Sequence, residues 1–332
     1  MSAPAPSMYS EAATALATDL GLSKGRANLE VFAAAVQDLA EADRDVLAVT
    51  SDSRGSGKLG PFGQALPRQI VEVGIAEQNL VGVAAGLAST GKIVFAVSPA
   101  CFLATRALEQ VKNDVAYSDN PVTLVGISAG VSYGALGSTH HSLHDFAALR
   151  AINNVEVCAP ADNFEAEQAV RYAAAADRPV YLRFGKAPLY DLPSDAPVQP
   201  ARARVLREGG DGAFLASGET VIHALLAAEH LAREHGVQCR VASLPSIKPL
   251  DTDEVATAAV TGAVVTVEEH MVTGGLGEAC AASLLQAGLA PRLRIAGIPD
   301  EYTVTGSQAD IFRHYGLSME GLADTMRSIL GH

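Results

Sequence analysis

Short runs of almost purely apolar residues recur along this chain, separated by segments with helical periodicity. DVLAVT at residues 45–50, KIVFAV at 92–97, PVTLVGIS at 121–128, VEVCAP at 155–160 and PVYLRFG at 179–185 lack the in/out alternation of a half-exposed strand. Helical patterns fill residues 28–42, 76–89, 103–117 and 163–176. A strand that is apolar on both faces is stable only in a parallel sheet covered by helices on both sides. A Pro-rich stretch, APLYDLPSDAPVQPAR at 187–202, interrupts the series and reads as a linker. A second series follows, with strands at 212–217, 238–244, 263–270 and 292–298 and helices at 219–235, 252–259 and 274–288. The sequence predicts an α/β protein of two three-layer domains. Residues 1–22 form an N-terminal extension, 23–188 the first domain, 189–205 the linker and 206–332 the second domain. No repeat occurs at solenoid periods.

With 48% hydrophobic and 18% charged residues in 332, the chain can bury a sizeable core. A net charge of -13 disfavours nucleic acid and anionic membranes as partners. It leaves room for a phosphorylated substrate held by a few local cations. Cys101, Cys158, Cys239 and Cys280 show neither metal spacing nor a disulfide framework, which points to reduced thiols in the cytoplasm. The start, MSAPAPSMYSEAATA, lacks the basic-then-apolar order of a signal peptide, and no apolar run reaches the ~20 residues that span a bilayer.

Ligands of open α/β sheets collect beyond the carboxyl ends of the strands. Asp52, Glu77, Ser128, Arg183 and the run Glu268, Glu269, His270 fall at such ends and are expected to converge on one cleft. Glu77 stands out, because VEVGIAEQNLVGVAAGLAST surrounds it with apolar and small residues. A buried ionised carboxylate is costly, so Glu77 either escapes to solvent at a helix start or is used. GALGSTHHSLHD at 134–145 carries His140, His141 and His144, side chains suited to proton transfer near neutral pH. Metal binding there ranks lower, since Asp145 is the only nearby acid and no Cys adjoins; His144 reads as a cap or packing residue. GGLG at 274–277 lacks the Gly and Lys-Ser/Thr of a phosphate loop, and a tight strand-to-helix turn suffices.

Three segments, in order, resemble the transketolase class of thiamine-diphosphate enzymes. VEVGIAEQNLVGVAAGLA resembles the signature of the pyrimidine-binding domain, and GSTHHS the histidine motif of transketolases and 1-deoxyxylulose-5-phosphate synthases. SLPSIKPLDTDEV with GAVVTVEEHMVTGGLGEA resembles their C-terminal domain. The GDG…N motif of the family's diphosphate-binding domain is absent from the chain. The resemblance therefore implies the B subunit of a split transketolase, completed by a separate A subunit as an α2β2 assembly. It implies thiamine diphosphate as cofactor, with Mg2+ or Ca2+ held mainly by the partner, and sugar phosphates as substrates. Glu77 would hydrogen-bond N1′ of the aminopyrimidine and favour the imino tautomer that takes the thiazolium C2 proton. Phe102 would stack on that ring, with Ile75 and Asp52 close by. His140, with His141 beside it, would hydrogen-bond substrate oxygens. Arg183 would bind substrate phosphate, with Arg26, Ser56 and Ser128 as further substrate contacts.

Three positions depart from the usual pattern. Leu136 stands where transketolases carry an Asp that reads donor hydroxyls, Ser128 where they carry a His, and Pro99 where they carry an aromatic residue. The departures imply intact cofactor activation and altered sugar recognition, with a branched, deoxy or sulfonated ketose phosphate as donor. The alternatives are a 1-deoxyxylulose-5-phosphate synthase-like subunit, a 2-oxo-acid dehydrogenase E1 β-like subunit, or a non-catalytic interaction module.

Overall fold

The computed structural model of the protein describes residues 7–193 and 201–331. The strands are β1 (Lys24–Ala27), β2 (Val46–Thr50), β3 (Ile70–Glu72), β4 (Ile93–Pro99), β5 (Val122–Ile127), β6 (Glu156–Cys158) and β7 (Val180–Phe184). They continue with β8 (Pro188–Tyr190), β9 (Arg204–Arg207), β10 (Gly212–Ala216), β11 (Cys239–Ser243), β12 (Ser246–Lys248), β13 (Ala263–Met271) and β14 (Arg292–Ile298). The first sheet runs β12-β6-β7-β5-β4-β2-β3, and the second runs β14-β13-β10-β11-β9. All the long apolar runs pair in parallel, as burial on both faces requires. Among the named strands of the described residues, antiparallel pairing occurs at β9, at β12 and in the β1–β8 ribbon.

Helices cover both faces of each sheet. Their starts follow local capping chemistry: the Asp162 carboxylate accepts from the Glu165 amide at 2.9 Å to open Asn163–Ala175, and Gly236, at φ 68°, ends Val221–His235. The helix expected at 103–117 begins earlier, at Ala100, and widens into a π turn over Val111–Tyr117. Leu103, Ala107, Val111 and Val115 are all buried and recur every fourth residue, a spacing that looser turns keep facing the core.

Several elements lay outside the sequence expectation. The start of the Pro-rich stretch is not linker: β8 pairs with β1, and Leu189, Tyr190 and Leu192 are buried. Its residues 194–200 lie outside the described residues. The helix Glu11–Asp19 buries Ala13, Leu16 and Ala17 against Val221–His235, and Arg233 pairs with Asp19 at 2.8 Å. Helices Gln308–His314 and Met319–Leu330 complete the second layer; the first opens on a Ser307–Asp310 capping box. The short β12, from the second half of the chain, closes the edge of the first sheet against β6. Among the described residues no helix is long and apolar enough to cross a membrane. All four cysteines are free and buried.

Candidate active site

Glu77 opens the helix Glu77–Ala88 directly after the β3 turn, and only 2% of it is exposed. The carboxylate does not escape to solvent. Its partner is Arg106, whose Nη1 donates to Oε2 at 2.5 Å while the arginine side chain itself stays 47% exposed. Arg106 lies one helical turn beyond Phe102, so its guanidinium also covers that ring at 4.7 Å from the centroid. Phe102 sits in the first turn after β4, where it meets the edge of His140 at 5.4 Å. His140 in turn meets Tyr133 at 5.4 Å, and Lys186 Nζ stands 4.2 Å from the Tyr133 centroid. Glu77, Arg106, Phe102, His140, Tyr133 and Lys186 thus form one continuous line of contacts across the carboxyl ends of β4, β5 and β7. Among the described residues no group of three or more His, Cys, Asp and Glu is placed to hold a metal ion.

The loop that carries His140 is held from below by the second domain. His141 is buried, with Nδ1 2.5 Å from Thr303 Oγ1 and Nε2 2.9 Å from the Gly134 carbonyl. Burial holds its pKa below the ordinary imidazole value. Both ring nitrogens are occupied, which corrects its assignment as a catalytic neighbour: His141 positions the loop while His140 faces the line of contacts. His140 Nδ1 meets Thr139 Oγ1 at 3.0 Å. Ser128 takes φ 54° with its hydroxyl buried; it faces the Tyr133 phenol without a hydrogen bond of ordinary geometry. Leu136 is 54% exposed on the same loop.

Arg183 is the clearest correction. Its side chain is buried, Nε donates to Asp145 Oδ2 at 2.8 Å, and Nη2 donates to the carbonyls of Ser142 (3.1 Å) and Glu269 (2.7 Å). These bonds bind the loop to β13; with Glu269 Oε2 3.8 Å from Nη1 and the Phe146 ring 4.6 Å from Cζ, the guanidinium is enclosed by the protein's own groups. The available cation is Lys186, three residues on. Burial and then the nearby Lys58 charge push its pKa down. Lys58 pairs with Glu30 at 3.0 Å, whereas no carboxylate among the described residues pairs with Lys186. An ammonium group beside a second cation, with no counter-ion of its own, suits an anion.

Glu268, Glu269 and His270 do not join the open cleft either. They are buried on β13 beneath the loop. Glu268 accepts from the amides of Leu276 (2.7 Å) and Gly277 (2.8 Å), and a Cβ on Gly275 would stand 1.8 Å from its Oε2. GGLG is therefore a turn shaped to receive an internal carboxylate. Burial pushes Glu268 and Glu269 up to about 7 and Glu219 up to about 8, and pushes His270 down to about 4. Gln308 Nε2 bridges Glu219 (2.8 Å) and Glu269 (2.9 Å), and Glu269 also accepts from the Val131 amide at 2.9 Å.

The remaining candidates lie at the rim. Ile75 is 75% exposed, and Asp52 is exposed with φ 54°. Arg26 is exposed on β1 and lines a groove of about 460 Å³ with Glu30, Lys58 and Pro61. Ser56 is half-buried and donates to the Ser53 carbonyl at 3.3 Å. Sequence reasoning missed Arg106, Tyr133 and Lys186. Only the first left a signal, the four-residue helical spacing from Phe102.

Comparison with known proteins agrees with the two-domain α/β fold. The family described as transketolase, pyrimidine binding domain, matches residues 24–190, and transketolase, C-terminal domain, matches residues 201–322. The B subunit of the apulose-4-phosphate transketolase of Phocaeicola vulgatus is 47% identical over 297 residues, 89% of this chain and 94% of that one. The 6-deoxy-6-sulfo-D-fructose transketolase subunit SqwH of a Clostridium species is 36% identical over 283 residues, 85% and 87% of the two chains. A split gene transketolase solved as an inactive β4 tetramer superposes with a TM-score of 0.82 at 34% identity, covering 92% of this chain and 98% of that one.

Proposed function

We propose that this chain, which belongs to the transketolase family, is the ring-gripping half of a split transketolase that moves a two-carbon ketol unit from a ketose phosphate to an aldose. The observation that carries the reading is a buried carboxylate, Glu77, joined through Arg106 to an aromatic ring, Phe102, at the carboxyl edge of a parallel sheet. That pair fits the aminopyrimidine end of thiamine diphosphate: one acid to share a proton with N1′, one ring to stack on. The described residues offer no group of three or more His, Cys, Asp and Glu placed to hold a metal ion. A separate diphosphate-binding subunit, carrying Mg2+ or Ca2+, would supply it in an α2β2 assembly in the cytoplasm.

When bound, the cofactor supplies a nucleophilic carbon and an electron sink. The residues of this chain do the rest. Glu77 holds or gives up a proton at its carboxylate, with Arg106 balancing its charge in the shielded position. Phe102 fixes the ring plane. His140 offers an imidazole N–H to substrate oxygens, and Thr139 at Nδ1 orients it. Lys186, with Lys58 behind it, draws the donor phosphate toward Tyr133, the role that the family resemblance implies for Arg183. Ile75 and Asp52 lie at the rim that would meet the partner; Arg26 and Ser56 remain outer contacts.

The donor is an unusual ketose phosphate. Leu136 presents an apolar, exposed surface where a hydroxyl-reading acid is the rule, and two relatives are named for apulose 4-phosphate and for 6-deoxy-6-sulfo-D-fructose. A branched ketose phosphate is the first choice from the Leu136 departure, with apulose 4-phosphate the first donor to try, since the relative named for it is the more similar of the two. The test is reconstitution with a diphosphate-domain partner and a donor panel. Ketol transfer from a branched donor to an aldose phosphate is the expected result. Xylulose 5-phosphate as clearly the best donor would overturn the sugar assignment, and pyruvate-dependent CO2 release would mark a synthase instead.

A further inference from the structure

The geometry points to Glu72 as a positioning residue, a carboxylate clamp that sets the two turns on which Asp52, Ile75 and Glu77 meet the cofactor; it rests on the function proposed above. β3 is the edge of the first sheet and only three residues long. Among the described residues no further strand lies beyond it to hold the chain that leaves it. Yet that chain must place Ile75 and, five residues after Glu72, the acid at the head of the helix.

Glu72 provides what the missing strand would. It is the register partner of Thr50 on β2, and its Oε2 accepts from Thr50 Oγ1 at 2.6 Å. Its Oε1 accepts from two backbone amides at once, Asp52 at 2.7 Å and Gly74 at 3.0 Å. Asp52 and Gly74 are the residues at which the chain reverses after β2 and after β3, with φ 54° and 74°. One carboxylate thus ties two left-handed turns from neighbouring strands to each other. Arg54 Nε, 3.4 Å away, completes the shell.

The charge matters. Partial burial alone would raise the Glu72 pKa, but the hydroxyl, the two amides and Arg54 together hold it below the ordinary carboxylate range. Glu72 is therefore ionised throughout the neutral range, and hydrogen bonds to an ionised acceptor are about twice as strong as neutral ones. Asp52 has a Cβ to fit into the left-handed region, so the clamp also offsets backbone strain there. Beyond Gly74, the Ala76 amide returns to the Gly74 carbonyl at 2.7 Å and the Leu80 amide to the Ala76 carbonyl at 2.9 Å. The clamp, the turn and the first helical turn under Glu77 are thus linked bond by bond.

The test uses the full chain, alone and in its reconstituted complex. Glu72→Gln keeps shape and volume but loses the charge. Amide hydrogen exchange over residues 51–58 and 73–80 is expected to quicken about tenfold, with the rest of the first sheet unchanged. In the complex, KM for thiamine diphosphate is expected to rise about tenfold while kcat at saturation and the melting midpoint stay near wild type. Thr50→Val, which removes one bond from the same carboxylate, should shift both readouts the same way by less. Unchanged exchange in both variants overturns the clamp. Faster exchange with an unchanged KM overturns its positioning role and leaves a local structural contact. A wild-type complex that ignores thiamine diphosphate overturns the function itself, and the exchange readout, which needs no cofactor, separates that failure from failure of the clamp.

Discussion

Arg106 donates to Glu77 at 2.5 Å across a boundary: the acid is buried, the arginine half in water. The pair explains how an ionisable group tolerates a position that is apolar on most sides. It also places a planar cation on the Phe102 face beside the carboxylate. The proposed proton-handling group is therefore charge-balanced before any ligand arrives.

Removing that balance should be measurable. Arg106→Gln leaves the Glu77 charge without its partner and is expected to cost roughly 1–3 kcal/mol, below the value for a fully buried pair because Arg106 is half exposed. A double-mutant cycle with Glu77→Gln, followed by denaturant melts, checks it. Additive losses in the double variant would mean that the two residues do not interact.

Glu77→Gln should keep the fold and lose the chemistry. In the reconstituted complex the exchange rate of the thiazolium C2 proton is expected to fall by about 10²–10⁴-fold, the usual weight of a positioned acid–base group. Proton exchange followed by NMR is the measurement, and a normal rate would remove Glu77 from the mechanism.

Lys186→Gln should weaken phosphorylated donors selectively, raising KM by about tenfold or more with a smaller effect on kcat. Because burial and Lys58 hold the Lys186 pKa down, its charge is lost at lower pH than for an exposed lysine. Donor affinity should accordingly decline on the alkaline side in wild type and not in the variant. Arg183→Lys, by contrast, should lower the melting midpoint, since Arg183 binds Asp145 and two carbonyls.

Leu136→Asp is expected to shift donor preference toward unbranched ketose phosphates by about 10–100-fold in kcat/KM, the range that one pocket contact provides. A competition assay between a branched donor and xylulose 5-phosphate reads the ratio. No change would place Leu136 outside the sugar site.

The acids beneath the loop predict a pH dependence of stability. Glu219, at about 8, and Glu269, at about 7, have folded pKa values raised above their unfolded values, by burial first and, for Glu219, next by the charge of Glu269. Their contribution is therefore complete below the unfolded carboxylate range and is lost as pH rises through 7 to 8. Glu219→Gln, which keeps an acceptor for Gln308, should stabilise the protein at pH 8 by on the order of 2 kcal/mol and flatten the profile. Melting curves from pH 5 to 9 test this.

Much of the fold was legible because its signals are local. An apolar run such as KIVFAV declares its own burial on both faces, and β4 forms where it lies. β12 was not legible. SIK carries little propensity, and its place depends on β6, far away in sequence. The site divides in the same way. Glu77, Phe102 and His140 stand out as motifs and lie in one line of contacts. Arg183 and Lys186 could not be told apart by pattern, because both are cations near the carboxyl end of the same strand.

The order of residues alone determined a parallel α/β architecture and an acid set among apolar neighbours, since strand burial and helix starts are written within a few residues of chain. Tertiary structure decided which polar groups remain free to act. Asp145 and Glu269, 38 and 86 residues from Arg183, occupy its donors, and Thr303 occupies His141. A side chain can serve a ligand only with hydrogen-bonding capacity that folding has not already used, and that remainder is a property of the packed molecule.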